Sequence, residues 1–240
     1  MENNHILQLK NLTKIYPKSD QGVKDISFSV HKGTFHAFIG ENGAGKTTTI
    51  KTIIDAFSSY QGEVLIDGKD HRSEEAKSKI GYVPENALFP KGLTSFEYLV
   101  YLAELSKIKR QDAKQKIDEL LEKFGILELK NKKPYSFSSG QKKKILLIQA
   151  LIHDPEILIL DEPAANLDPS ARYELFKILT DLNKAGKTIF ISSHILKEID
   201  EFTSYVTLIH KGKIYYHGPK NEKTLEELFY EKVIKTDCNH

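Results

Sequence analysis

The sequence predicts an α/β fold on a mostly parallel sheet, and three observations carry that prediction. An apolar run, Phe35–Ile39, leads directly into Gly40-Glu41-Asn42-Gly43-Ala44-Gly45-Lys46-Thr47, which fits the phosphate-loop pattern G-x-x-x-x-G-K-[ST] without a mismatch. Apolar runs at Ile157–Leu160 and 188–191 each follow helical sequence, and strands alternating with helices imply right-handed crossovers and parallel pairing. Between these regions, roughly residues 86–140 carry the period of amphipathic helices, so a helical block interrupts the strands.

The elements follow in order. Residues 6–12 and 26–30 read as strands, with a polar turn near Lys18 to Gln21. Phe35–Ile39 reads as a buried strand and 46–57 as the helix after the loop. Residues 63–66 form a short strand stopped by Asp67-Gly68, and Ile80–Val83 another stopped by Pro84. Residues 94–106 are apolar at Phe96, Leu99, Val100, Leu102 and Ala103, which is helix spacing, and Thr94 with Glu97 makes a capping box. Residues 110–124 form a second amphipathic helix closed by Gly125, its charges a solvated face. A helix spans 141–152. Tyr205–His210, the turn Lys211-Gly212 and 214–217 read as a hairpin, and 222–230 as a last helix.

The 240 residues and 40% hydrophobic content suit one large domain or a core with a subdomain. A net charge of +2 points to no polyanionic partner. The single cysteine, Cys238, permits no disulfide within the chain and fits a reducing cytoplasm. No apolar run approaches the roughly 20 residues of a membrane span, so a membrane role is expected to come through another chain.

The phosphate loop carries its own chemistry. Its glycines let the backbone N–H groups turn inward on an anion, and the helix start adds partial positive charge. Lys46 can neutralise terminal phosphates, and the Thr47 hydroxyl can ligate Mg²⁺. Ile157–Leu160 ends in Asp161-Glu162, at the strand end where open α/β sheets bind ligands. Asp161 can hold Mg²⁺ and Glu162 can accept a proton from the attacking water. Phe137-Ser138-Ser139-Gly140-Gln141 begins a helix whose hydroxyl and amide are anion-receptive; taken alone, it is also an ordinary N-cap.

Together these motifs resemble the ATP-binding subunits of ABC transporters over nearly the whole chain. Residues 40–47 resemble Walker A, 137–141 the signature and 157–162 Walker B with its catalytic glutamate. Ala165-Asn166-Leu167-Asp168 resembles the D-loop, Ile191-Ser192-Ser193-His194 the switch-histidine motif, and Tyr16 the aromatic that stacks on adenine. The resemblance implies a P-loop NTPase: a RecA-like core with an antiparallel β subdomain at 1–85 and 141–240, and an α-helical subdomain at 86–140. It also implies ATP and Mg²⁺ as ligands. Tyr16, Gly40, Asn42, Gly43, Gly45, Lys46, Thr47 and Thr48 would hold ATP in cis, with Thr47, Asp161 and Glu85 at the metal and Glu162, His194 and Lys46 catalytic. Ser138 and Gly140 would reach the γ-phosphate of a second subunit's ATP, and Asp168 would lie at the seam of that dimer. A membrane permease would dock on the helical block, where Phe89, Phe96, Tyr98 and Tyr101 offer apolar surface; Phe96 is assigned first to the block's own core. The chain would be cytoplasmic, peripheral on the inner face of the membrane, without a nucleic-acid partner.

Three departures stand out. Phe137 and Ser139 replace a leucine and a glycine of the usual signature L-S-G-G-Q. Glu85, in Tyr82-Val83-Pro84-Glu85-Asn86, stands where the family usually has glutamine; it adds charge and loses an amide donor. Lys142-Lys143-Lys144 reads as a solvated basic turn. Glu85 resembles export-type subunits of drug and peptide-antibiotic systems, so an exporter is expected. The competing class is a non-transport ABC ATPase on ribosomes or DNA. A single phosphate loop and the lack of a long heptad run between the loop and residue 137 speak against it, and the signature and switch histidine speak against a kinase.

Overall fold

The structure is a computed structural model that describes residues 4–17, 19–86 and 88–237. The readings of Lys18 and Cys238 lie outside the described residues. Strands β1 (His5–Ile15), β2 (Gly22–His31), β4 (Gln61–Ile66) and β5 (Lys69–Asp70) form one antiparallel sheet in the order β2-β1-β4-β5. The second sheet contains β3 (Phe35–Ile39), β6 (Ile80–Val83), β7 (Ile157–Leu160), β8 (Thr188–Ser193), β9 (Tyr205–His210) and β10 (Lys213–Pro219). Its order is β10-β9-β3-β8-β7-β6, with every pair parallel except the terminal β9–β10 hairpin.

The helices are α1 (Lys46–Ile53), α2 (Glu74–Ser78), α3 (Ser95–Leu105), α4 (Arg110–Lys123), α5 (Ser139–Leu151), α6 (Pro169–Lys184), α7 (Leu196–Ile199) and α8 (Leu225–Phe229). The capping box at Thr94 and Glu97 forms as expected. Helix α1 is shorter than predicted, because Ile54 caps it and Asp55 turns into the left-handed region at φ 60°. The last helix begins at Leu225 under a Thr224–Glu227 capping box and continues into a π-helical turn at Tyr230–Ile234. No described helix is long and apolar enough to cross a membrane.

Strands β3, β7 and β8 are buried along their whole length, as expected when both faces of a parallel sheet are covered. The side-chain period of two still sorts them. Ala37, Leu158, Leu160, Ile189 and Ile191 pack on the side of α5 and α6. Phe38, Ile157, Ile159 and Phe190 pack on the opposite side, with α1 and the antiparallel sheet. There Phe28 of β2 meets Phe38 and Phe190 at ring-centroid distances of 5.5 and 5.9 Å, joining the two sheets. Within the helical block, Leu99, Val100 and Ala103 of α3 and Ala113, Ile117 and Leu121 of α4 are buried. Phe96 is only partly buried, under the Lys130 ammonium; Phe89, Phe124 and Phe137 are the aromatics that the core takes in.

The histidines between the sheets are structural. His36 Nε2 lies 2.7 Å from Thr207 Oγ1, which lies 2.9 Å from His217 Nδ1. Burial, reinforced by His217 and His31, holds His36 well below the usual histidine range. Burial, with His31 and His5, lowers His217 to about 4. Both groups stay neutral in the fold but take a proton near pH 6.5 when unfolded. The unfolded chain therefore binds more protons between about pH 6.5 and 4, and stability falls as pH falls through that window. Thermal melts of wild type and His217→Gln from pH 8 to 4.5 should show a shallower acid loss in the variant; parallel curves would refute this source.

Candidate active site

Four strand ends on one edge of the parallel sheet converge. β3 delivers the phosphate loop, β7 delivers Asp161 and Glu162, β8 delivers Ser192 and His194, and β6 runs through Pro84 to Glu85. Glu85, Glu162 and His194 line a cleft of about 270 Å³ with Tyr16, Asn42, Gly43, Gly45, Lys46, Thr47 and Thr48, while Asp161 and Ser192 are buried and do not line it. Gly45, at φ 109°, holds a backbone that a side chain would strain, and a Cβ there would collide with Val23. At Gly40 the constraint is steric alone: a Cβ would lie 2.3 Å from the Ile209 carbonyl.

Lys46 is 5% exposed and donates to the Gly40 carbonyl at 2.6 Å and the Glu41 carbonyl at 3.1 Å. Its ammonium also stands 3.2 Å from Glu162 Oε1, an ion pair without hydrogen-bond geometry. The other Glu162 oxygen is 2.9 Å from His194 Nδ1. Glu162 adopts φ 43°, a conformation that costs a non-glycine residue of order 1–3 kcal/mol. The Ser192 hydroxyl accepts from the Glu162 amide at 2.9 Å and donates to Asp161 Oδ1 at 2.8 Å. Ser192 therefore fixes the Asp161 carboxylate and the Glu162 backbone; the sequence displays it only as a member of the switch-histidine segment.

Thr47 donates to the same Asp161 oxygen at 3.3 Å. Burial raises the Asp161 pKa, with Glu162 and Glu85 adding to it, while the two hydroxyls oppose the shift. Burial, with Asp161 and Glu85, likewise pushes the Tyr82 phenol to about 12. Tyr16 follows β1, its hydroxyl 3.3 Å from Thr48 Oγ1 and its ring edge-on to Phe57 at 5.9 Å. Phe57 thus backs the Tyr16 ring, a contact invisible in its sequence context.

Ser138 and Gly140 lie outside this cleft, at the start of α5. Ser138 accepts from the Gln141 amide at 3.3 Å and Gln141 Oε1 from the Ser138 amide at 3.1 Å, a capping box. A Cβ on Gly140 would press on Ala171 of α6, so this glycine also serves packing. Asp168 caps α6 by accepting from the Ala171 amide at 2.9 Å. The basic run after the signature is not a uniformly solvated turn. Lys144 pairs with Glu174 at 2.9 Å, and Lys143 is buried, donating to the carbonyls of Pro84 and Glu85. Burial lowers the Lys143 pKa to about 8, against the pull of Glu85 and Asp161.

The residues present fit a nucleotide with its metal. A buried ammonium and the inward-curled loop suit the phosphates, and the Thr47 hydroxyl beside a buried carboxylate suits Mg²⁺. Such a loop on a parallel sheet edge, with adjacent acidic residues, defines a P-loop nucleotide-binding protein. Residues 23–165 match the profile of the family described as ABC transporter. A putative ABC transporter ATP-binding protein of Mycoplasma pneumoniae is 46% identical over 97% of this chain and 72% of its own length. The bacitracin transport ATP-binding protein BcrA of Bacillus licheniformis is 36% identical over 92% and 74%. A solved ATP-binding subunit of an ABC transporter superposes with a TM-score of 0.84 at 28% identity, over 95% of this chain and 99% of that one. The chain belongs to the ABC transporter ATP-binding family and is an ATPase that uses ATP with Mg²⁺.

Proposed function

We propose that the chain drives export through a separate integral membrane subunit, binding ATP between two copies of itself. The observation that carries the two-copy reading is that Ser138 and Gly140 lie at the start of α5, outside the cleft that Lys46, Thr47, Glu162 and His194 line. A phosphate contact from the signature then requires another chain. In this reading Tyr16 packs on adenine, the amides of Gly40, Asn42, Gly43 and Gly45 with Lys46 and Thr48 hold the phosphates, and Thr47, Asp161 and Glu85 face the metal. Bound Mg²⁺ would neutralise phosphate charge and help align the γ-phosphoryl group. Glu162 takes the proton of the attacking water, and His194 fixes the Glu162 carboxylate and reports on the γ-phosphate. Asp168 lies near the seam. Binding closes the dimer and hydrolysis lets it open.

Export is supported by Glu85 and by the likeness to a bacitracin transport protein. Exposed Leu88 and Tyr101 on the helical block support a membrane-subunit contact there, which would place the chain on the inner face of the membrane. Co-purification from detergent-extracted membranes tests this: a membrane protein is expected, and ribosomes or DNA in its place would refute it. Glu85→Gln should leave ATP affinity within about threefold while changing transport per ATP by at least about twofold. Unchanged coupled transport would make Glu85 a neutral replacement.

A further inference from the structure

Among the described residues two lysines are buried: Lys46 at the phosphate loop and Lys143 in α5. Burying an ammonium costs several kcal/mol unless it is paired and hydrogen-bonded, so the position of Lys143 requires partners. Its Nζ donates to the Pro84 carbonyl at 3.1 Å and to the Glu85 carbonyl at 2.9 Å. The carboxylates of Glu85 and Asp161 are the anions that favour its charge. These carbonyls lie where the chain leaves β6. Helix α5 is seated directly on that strand, because a Cβ at Gly81 would meet the Ala150 carbonyl at 2.5 Å and the Leu158 side chain at 2.6 Å. Glu85 forms part of the wall between two clefts. One contains the phosphate loop; the other, of about 230 Å³, is lined by Ser139, Lys143 and Asn166.

We infer that Lys143 is a positioning residue that ties the Pro84–Glu85 backbone to the signature helix, so that the place of the Glu85 carboxylate in the nucleotide cleft follows the position of α5. This rests on the reading of Glu85 as a group of the ATP site. α5 begins at the capping box of Ser138, which that reading turns towards the partner's nucleotide. Lys143 lies five residues further on, about 7.5 Å along the helix. One rigid helix thus carries both the partner-facing contact and the hold on Glu85. Glutamate at 85 also adds a negative charge that favours the buried ammonium, which glutamine would not.

The test uses the full chain. Lys143→Met removes the donors without leaving a buried charge. It is expected to lower kcat at least about fivefold while the Kd for a fluorescent ATP analogue stays within about twofold. Hydrogen exchange at the amides of 85 and 86 should rise at least about tenfold, with α6 unchanged. Combined with Glu85→Gln, the variant should lose little beyond the slower single variant, since both act through one carboxylate. If Lys143→Met does not fold, Lys143→Leu, which also removes the donors, is read by the same measurements. Wild-type kcat and exchange in either folded variant would overturn the proposal, as would losses that multiply with those of Glu85→Gln. Wild-type kcat in Glu85→Ala alone, which leaves no side-chain oxygen at this position, would instead overturn the assignment of Glu85 to the ATP site.

Discussion

Glu162→Gln is expected to lower steady-state ATP turnover by about 10²–10⁴-fold, the range that a positioned general base contributes, with ATP affinity kept or improved. Glutamine keeps the shape of the side chain, and its amide oxygen can still accept from His194 Nδ1, now 2.9 Å from Glu162 Oε2. What goes is the proton acceptor and the negative charge 3.2 Å from the Lys46 ammonium. Without that charge Lys46 has one competitor fewer for the phosphates, so the variant should bind ATP at least as well and accumulate ATP-dependent dimers. Phosphate release measures the first effect, and size-exclusion chromatography with and without ATP the second. Turnover at the wild-type rate would remove Glu162 as the base.

The site divides into what local sequence displays and what only the fold assembles. The phosphate loop is legible because glycines, lysine and threonine at fixed spacing serve one chemistry within eight residues. Ile157–Leu160 is legible because a short apolar run ending in two carboxylates has few other uses. The helix N-caps at Thr94 and Ser138 are equally local. The Lys143 contact is different in kind: it joins residues 58 and 59 apart in sequence, and a run of three lysines looks like a solvated surface until the sheet places the middle one under the β6 exit. Ser192 hides for the same reason. It is an ordinary serine on β8 until parallel pairing sets that strand beside β7, so that one hydroxyl serves both Asp161 and Glu162. Asp168 shows the converse. The resemblance gives it a place at a dimer seam, while the fold gives it the cap of α6, and one side chain can fill both positions.

Lys46→Met should weaken ATP binding at least about 100-fold, close to 2.7 kcal/mol. Methionine retains most of the buried stem but contributes no charge to the phosphates. It also leaves the Glu162 carboxylate, 11% exposed, facing an incoming polyanion without its cation. Two effects therefore add to the loss, an attraction removed and a repulsion uncovered, and the ion pair lets them be separated. In a Glu162→Gln background the repulsion is already gone, so Lys46→Met should cost about five- to tenfold less there than in wild type, a coupling of roughly 1–1.4 kcal/mol by double-mutant cycle. Equilibrium titration of the four proteins with a fluorescent ATP analogue measures it. Equal losses in both backgrounds would show that Lys46 acts on the phosphates alone and that its pairing with Glu162 has no bearing on how ATP is held.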